Sequence, residues 1–459
     1  MTSKTGGGFL TAEPTPGLLL AHAPRGATST DRARVTAAGL TVGRGPESSW
    51  LLADERLSKL HARFQLQGGR ILVSDLGSTN GTFLNGERLG NAGRETMPGD
   101  LVRCGGSLLV VCADLTPLLT SAPGVRESGL AGRFYSPQLM ARLGEAAAVG
   151  RHVLLHGESG SGKELASRAL ARHAEAQAWV TGELVAHNCA RFSTEEEAVT
   201  TLFGVAKGTF SGVSERAGLL EQAAGGVLFL DEAHVLSPRV QRSLLRFVED
   251  GAFSRIGEST TRTLRLLLIL GTNMDVELAS AQGFLAFDLV NRLQQVEVPP
   301  LSQRRADVPD IFAAAVGPAA ARHSLPGDEL LAELHPDQLE AICLLPFSQR
   351  NVRELIHLAE AFAARVAMRG EEQHRALGAL LAERYPNNPV VVRVRGQQQP
   401  SNDAQPTGWS QYERHREAII AAYQASGQNV TATERALKKQ GIRASRRWLS
   451  EYLRKWGVR

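Results

Sequence analysis

Residues 157–164 read Gly157-Glu158-Ser159-Gly160-Ser161-Gly162-Lys163-Glu164, directly after an apolar run ending at His156 and directly before a helical pattern. A G-x-x-x-x-G-K loop between a strand and a helix lets backbone N–H groups and a helix N-terminus surround phosphates, while the lysine reaches the β and γ oxygens. Further along, residues 225–233 (GGVLFLDEA) place Asp231 and Glu232 at the end of an apolar strand. Asp231 can hold Mg²⁺, and Glu232 can orient or deprotonate an attacking water. A glycine-rich turn or a solvated acidic strand end would each be ordinary alone. With strand, spacing and lysine all present, the pair implies ATP hydrolysis with Mg²⁺.

These residues need a scaffold. His152 to His156, Val227 to Leu230 and Leu266 to Leu270 are short apolar runs separated by helical patterns, as expected of a parallel sheet buried on both faces. Ser237-Pro238 reads as an N-cap and first-turn proline, followed by Val240, Leu244, Leu245 and Val248 on one helical face. The spacing predicts an α/β domain over 125–300 and a strand-poor helical lid over 301–375. Residues 376–408, which include YPNNPVVVRVRGQQQPSNDAQPTG, are expected to be a linker. Before the α/β domain, residues 18–115 alternate short strands with turns such as Gly68-Gly69 and Asn85-Gly86, which predicts an all-β sandwich. Residues 1–17 are expected to be disordered, and residues 409–459 to be all-α.

Composition excludes several classes. The chain has 459 residues, 43% hydrophobic and 21% charged, which is ordinary for a globular protein and leaves room for several cores. Apolar runs such as Leu266 to Leu270 and Leu108 to Ala113 fall far short of the roughly 18 residues of a membrane span. The N-terminus lacks an apolar stretch of signal-peptide length. Cys104, Cys112, Cys189 and Cys343 show no metal-ligand spacing, which suits reduced core thiols in a cytoplasm. The net charge is +4, yet Trp409 to Arg459 holds eleven Lys/Arg against four Asp/Glu, a net of +7 that leaves −3 for the rest. Basicity confined to one end is the footprint of a nucleic-acid-binding module, with a solvated basic helix as the plain alternative.

Four stretches together resemble the AAA+ domain of bacterial enhancer-binding activators of sigma-54 RNA polymerase: the P-loop with Glu164 after its lysine, LFGVAKGTFSGV (202–213), GGVLFLDEA, and VNRLQQVEVPPL (290–301). The resemblance implies that Asn188 switches the catalytic glutamate and that Asn273 is a sensor. It further implies that Arg353 in NVREL senses nucleotide from the lid, and that Arg292 acts in trans within a homo-oligomeric ring, a hexamer in that family. Where the family has a second arginine this chain has Ala286, and Ser348-Gln349-Arg350 replaces the usual Trp-Pro-Gly. Gly208, Thr209, Phe210, Ser211, Gly212 and Val213 match the loop that contacts the sigma factor, with Phe210 as its apolar tip.

TVGR (41–44), LSKLHARF (57–64) and DLGSTNGTFLNG (75–86) resemble the forkhead-associated (FHA) domain, which binds phosphothreonine peptides. Charge-assisted donors suit a phosphate, and Arg44, Ser58 and Lys59 offer a guanidinium, a hydroxyl and an amine; the resemblance assigns Arg44 and Ser58 to the phosphate and Thr79 and Asn80 to the peptide backbone. His61 is read as a structural residue that pins the loop. The tail is similar to the Fis-type helix-turn-helix. Leu449, Tyr452, Leu453 and Trp456 face its core, while Arg446, Arg447, Ser450 and Arg454 are placed to meet double-stranded DNA. Together the resemblances imply a multidomain, cytoplasmic sigma-54-dependent regulator. It would couple ATP hydrolysis to remodelling of sigma-54 RNA polymerase, gated by a phosphothreonine protein such as a Ser/Thr kinase or its substrate. The alternative is a phosphopeptide-gated DNA-binding repressor or scaffold whose AAA+ domain binds nucleotide without remodelling.

Overall fold

The computed structural model describes residues 14–24, 30–90, 92–119, 129–209, 215–332, 334–347, 350–369, 372–398, 416–439, 449, 453–454 and 458. Contacts divide the chain into two compact units, Met1–Val394 and Arg395–Arg459.

The first unit begins with a two-sheet β-sandwich. One sheet runs in the order Arg32–Arg34, Gly17–His22, Ser107–Cys112, Leu101–Cys104, Thr82–Leu84, Glu87–Arg88; the other runs Trp50–Leu51, Leu40–Gly43, Ala62–Gln67, Arg70–Asp75, Arg94–Thr96. Both expected hairpins are present. Asn85 and Gly86 take φ of 49° and 87°, the left-handed pair that lets a tight turn match strand twist. Leu18, Leu20, Val42, Phe64, Val73, Val102 and Leu109 fill the space between the sheets. The expected disorder of residues 1–17 falls on undescribed residues up to 13 and fails at the end: Thr15 N donates to Asp114 Oδ1 at 2.9 Å, and Gly17 opens a strand.

Next comes a five-stranded sheet, all parallel, in the order Leu184–Asn188, Val227–Asp231, Leu267–Thr272, Val153–His156, Gln294–Glu297. The three central strands are the apolar runs of the sequence. The two edge strands were not legible as such runs because each is open to solvent on part of its surface. The helix Pro238–Asp250 forms as its sequence dictates: Ser237 Oγ accepts from Val240 N at 3.4 Å, and Val240, Leu244 and Phe247 are buried. The carboxyl ends of the strands all open on one edge, where α/β sheets place their ligands.

The lid comprises Val308–Ala321, Gly327–Ala332, Pro336–Cys343 and Val352–Arg369. It does not stop at residue 375. Helices Gln373–Arg384 and Pro389–Gln398 follow, and Leu377, Leu380, Leu381, Val390 and Val391 join the lid core. The linker expected over 376–408 is therefore structured through its first half, because its apolar residues find a surface that the proline- and asparagine-rich composition did not disclose. That same core includes Leu19, Ala21, Leu101, Leu108 and Val110 from the outer face of the six-stranded sheet. Sandwich and lid thus share one hydrophobic core.

In the second unit, helices Arg416–Ala425 and Val430–Lys439 pack Ile419, Tyr423 and Leu437 against Leu449 and Leu453. No described helix is long and apolar enough to cross a membrane. Ending the chain at residue 375 instead of 398 removes five large side chains from the lid core, so the melting temperature should drop by about 5 °C or more, measurable by thermal unfolding of the two truncations.

Candidate functional site

The P-loop follows the strand Val153–His156 and leads into the helix Lys163–Ala176. Gly160 has φ of 74°, and a Cβ there would lie 2.1 Å from the Arg350 carbonyl oxygen, so the chain passes directly beneath the lid. At Gly162, which precedes the helix, a Cβ would meet nothing within 4 Å. The N-terminus of the helix Lys163–Ala176 is thus open on this side, and a helix N-terminus of this kind suits an anion. Lys163 is 6% exposed, and its Nζ donates to Gly157 O at 2.8 Å and Glu158 O at 3.4 Å. Burial pushes its ammonium below the usual lysine range, against the pull of the Asp231 and Glu232 carboxylates. Glu164 pairs with Arg168 at 2.7 Å on the exposed side of the helix.

Asp231 ends its strand in register with Asn188, and its Oδ1 accepts from Glu232 N at 3.0 Å. Glu232 is held at φ of 54°, a left-handed backbone uncommon for glutamate and frequent at functional sites. Its carboxylate receives Asn273 Nδ2 at 3.4 Å and lies 3.5 Å from His234 Nδ1, which in turn is 3.2 Å from Thr272 Oγ1. Asn273 and Glu232 thus meet. Asn188 sits beside Asp231, but its Oδ1 accepts from Ala190 N at 2.9 Å and caps the turn Cys189–Arg191. The hard carboxylate oxygens of Asp231 are of the type that suits Mg²⁺; among the described residues no cluster of three or more His, Cys, Asp or Glu forms a separate cage.

Sequence reasoning missed the residues that join the P-loop to the lid. Asn351, 1% exposed and at φ of 46°, donates from Nδ2 to Glu158 Oε2 at 2.9 Å and Ser159 O at 3.1 Å, while its Oδ1 accepts from Leu301 N at 2.8 Å. Val352 N donates to Gly160 O at 3.0 Å, and buried Arg304 donates to Ser161 O at 2.7 Å. Beside Ser161 and Gly162 lies a cavity of about 150 Å³ walled by Leu130, Ala131, Ile311, Ala315 and Ile356. Its walls are mainly apolar beside the backbone of the P-loop. Ser161 Oγ is buried there without a partner among the described residues. One wall is pinned by Asp307, which accepts from Phe134 N at 2.8 Å and Tyr135 N at 3.0 Å and is pushed up to about 6 by burial. Asn351 was readable as part of NVREL; its φ and reach were not.

Arg353 is exposed on the first turn of Val352–Arg369, with Cγ 3.5 Å from the Cβ position of Gly160. Arg292, 61% exposed, pairs with Glu249 at 3.0 Å, and Ala286 N donates to Gln241 Oε1 at 2.7 Å. Of the loop expected to contact the sigma factor, Gly208 and Thr209 are described, and Thr209 Oγ1 donates to Ala206 O at 2.8 Å and Ile256 O at 3.0 Å. Phe210, Ser211, Gly212 and Val213 lie outside the described residues, as do Arg446, Arg447, Ser450, Tyr452 and Trp456 of the tail. Arg454 is exposed.

At one end of the sandwich, loops from three connections converge. Arg44 and Lys59 are exposed, Arg44 N donates to Ser58 O at 3.1 Å, and Gly45 N to Lys59 O at 3.0 Å. Thr79 N donates to Ser58 Oγ at 3.1 Å, and Asn80 Nδ2 to Arg56 O at 2.7 Å. The backbone of Arg44 and Lys59 and the side chains of Ser58 and Asn80 thus tie the three loops together. His61 is fully buried: Nδ1 accepts from Ser58 N at 3.1 Å, so Nε2 carries the proton and faces Gly81 O at 3.2 Å. It pins two loops together.

Residues 135–299 match the Sigma-54 interaction domain family, and residues 40–105 match the FHA domain family. The chain carries a sigma-54 interaction domain and an FHA domain. Similar proteins include the phenol regulator MopR of Acinetobacter guillouiae (44% identical over 160 residues, 34% of this chain and 28% of that one). A second is the transcriptional regulatory protein ZraR of Salmonella typhimurium (33% over 309 residues, 66% and 64%). A crystal structure of NtrX from Brucella abortus in complex with ADP aligns at a TM-score of 0.47 and 24% identity, covering 75% of this chain and 71% of that chain. The chain spans between 28% and 64% of the length of these two sequence relatives.

Two outcomes follow from this geometry. Gly160→Ala must force a side chain into left-handed backbone against Arg350 O, a cost on the order of 1–3 kcal/mol, and should weaken ADP binding about 10-fold, read by fluorescent-nucleotide titration. Burial holds the His61 imidazole below its ordinary value of 6.5, and those of His22 and His152 likewise. At these imidazoles the unfolded chain binds protons that the folded one excludes, so their contribution to stability is full above about pH 6.5 and declines as the pH falls through it, while Asp307, raised to about 6, acts in the opposite sense as a single group against three. Urea midpoints at about pH 7.5 and about pH 5.5 check the direction, and His61→Gln should narrow the difference.

Proposed function

We propose that this chain is a DNA-bound AAA+ ATPase that assembles into a ring and drives sigma-54-dependent transcription under control of a phosphothreonine partner. The observation that carries the reading is the convergence of the P-loop, Asp231, Glu232 and Asn273 at one sheet edge inside the sigma-54 interaction domain. ATP would lie with its base in the Leu130–Ile311 cavity and its phosphates over Gly160 to Lys163. Mg²⁺ held by Asp231 would supply charge neutralisation at the phosphates. Glu232, oriented by Asn273 and His234, would position the attacking water, and Arg353 would register the nucleotide from the lid. The loop Gly208 to Val213 would meet the sigma factor, and the FHA loops would capture the phosphothreonine. In the tail, Arg446, Arg447, Ser450 and Arg454 would contact DNA.

A second reading draws on Arg292. Its ion pair with Glu249 occupies it within its own chain, and the family's other arginine is Ala286 here. A ring lacking both trans arginines would bind nucleotide without remodelling. Arginine fingers contribute about 10³–10⁵ in rate, so the two readings differ widely in turnover.

Purified protein should hydrolyse ATP in a Mg²⁺- and concentration-dependent manner, and Lys163→Ala should abolish turnover. Glu232→Gln should keep nucleotide binding and lose about 10²–10⁴ in rate. Nucleotide binding with no turnover at any protein concentration would favour the second reading. Arg44→Ala should weaken phosphothreonine-peptide binding by about 10–100-fold, the worth of a charge-assisted hydrogen bond of about 1.5–3 kcal/mol, measured by fluorescence anisotropy.

A further inference from the structure

The phosphopeptide loops and the nucleotide lid are joined by a buried charge cluster. Phe83 lies on the strand Thr82–Leu84, which begins one residue beyond the loop carrying Thr79 and Asn80. Its ring lies against two guanidinium groups, Arg103 at 3.9 Å and Arg393 at 4.3 Å from its centroid. Both arginines close on the lid helix Pro336–Cys343. Arg103 Nε donates to Glu340 Oε2 at 2.7 Å and its Nη2 lies 2.9 Å from Asp337 Oδ1. Arg393 Nη2 reaches the same two carboxylates, at 2.7 Å and 2.5 Å, while its Nη1 donates to Gly86 O in the hairpin turn. Glu340 is fully buried. Removing one partner of a buried ion pair is strongly destabilising, so the cluster tolerates little displacement of either side.

Both ends of this cluster lead to a ligand site. On the sandwich side, Asp75 Oδ2 accepts from Gly77 N at 3.1 Å and Ser78 N at 2.9 Å, and its Oδ1 accepts from Thr82 Oγ1 at 2.6 Å. One carboxylate thus fixes the peptide loop to the strand that bears Phe83. Arg56, whose carbonyl holds Asn80, places Nη1 3.5 Å from Nε2 of His335, the cap of the lid helix. On the lid side, the consecutive residues Arg304 and Arg305 point opposite ways: Arg305 donates to Gly99 O of the sandwich at 3.0 Å, and Arg304 donates to Ser161 O of the P-loop.

We infer that phosphothreonine-peptide binding and nucleotide binding in this chain are coupled through the lid, with Arg103, Arg393, Asp337 and Glu340 as the linkage. This rests on the phosphopeptide reading of the FHA loops. Coupling between two sites on one molecule is reciprocal, so each ligand changes the affinity of the other by the same factor, typically about 5–150-fold. The signal passes from Thr79 and Asn80 through Asp75 and Phe83 into the lid helix. From there the lid core carries it to Asn351 and Arg304 at the P-loop.

The test uses the full chain, a phosphothreonine peptide selected from a randomised library on that chain, and fluorescent ADP. The expected result is an ADP dissociation constant that shifts about 5-fold or more at saturating peptide, with an equal shift of the peptide constant at saturating ADP. In Arg393→Gln, and independently in Arg56→Ala at the exposed edge, each ligand still binds alone and the shift contracts toward unity. If both ligands bind the wild type and neither constant moves, the coupling is overturned while the phosphopeptide reading stands. If no phosphothreonine peptide is retained, the phosphopeptide reading itself fails and takes the coupling with it.

Discussion

The six-stranded sheet of the sandwich is apolar on both faces, and most of the first unit follows from where the outer face goes. Gly17–His22 and Ser107–Cys112 are buried along nearly their whole length. Leu18, Leu20, Leu109 and Val111 point between the sheets, and Leu19, Ala21, Leu108 and Val110 point into the lid. A free sandwich would leave the second set in water, at roughly 25 cal/mol per Å² of apolar surface. Burying it against Phe312, Val316 and Leu345 makes the lid a layer shared between the sandwich and the P-loop.

The polar contacts then have a fixed frame in which to work. Buried ion pairs are weak sources of stability, since desolvation offsets much of their attraction. Their value here is register: Phe83 meets two guanidinium groups, each answered by the same two carboxylates, which ties the sandwich strand to the lid helix at a defined position. Within the lid, Asn351 performs a similar task for the P-loop. An amide that bonds Glu158, Ser159 and Leu301 at once leaves the loop a single position relative to Val352–Arg369. The carboxyl edge of the parallel sheet is arranged by backbone as much as by side chains, with Glu232 turned into left-handed φ so that its carboxylate meets Asn273 and His234.

Much of this was legible beforehand. The P-loop, the Asp231-Glu232 strand end, the three central strands and the two glycine-bearing hairpins were read from residue type and spacing, because each depends on neighbours within a dozen positions. The edge strands Leu184–Asn188 and Gln294–Glu297 were not, since partial exposure removes the continuous apolar run that identifies a buried strand. The helices after residue 375 were read as linker because proline and asparagine mark turns locally, while Val390 and Val391 are committed by a distant surface. Apolar runs without alternation at residues 18–20 and 108–111 did carry the signal that both faces of that sheet are covered.

By itself the sequence determined the chemistry available: a lysine and glycines for phosphate, a carboxylate pair for metal and water, and a guanidinium and hydroxyls for a phosphorylated peptide. Such features are local, fixed by spacing along the chain. Tertiary structure alone decided which of them act together. Asn351 with Glu158, Arg103 with Glu340 at 237 positions' separation, and Arg304 with Ser161 are meetings of residues far apart in sequence. No period or motif encodes these contacts, because they form only when whole elements settle their apolar faces against one another.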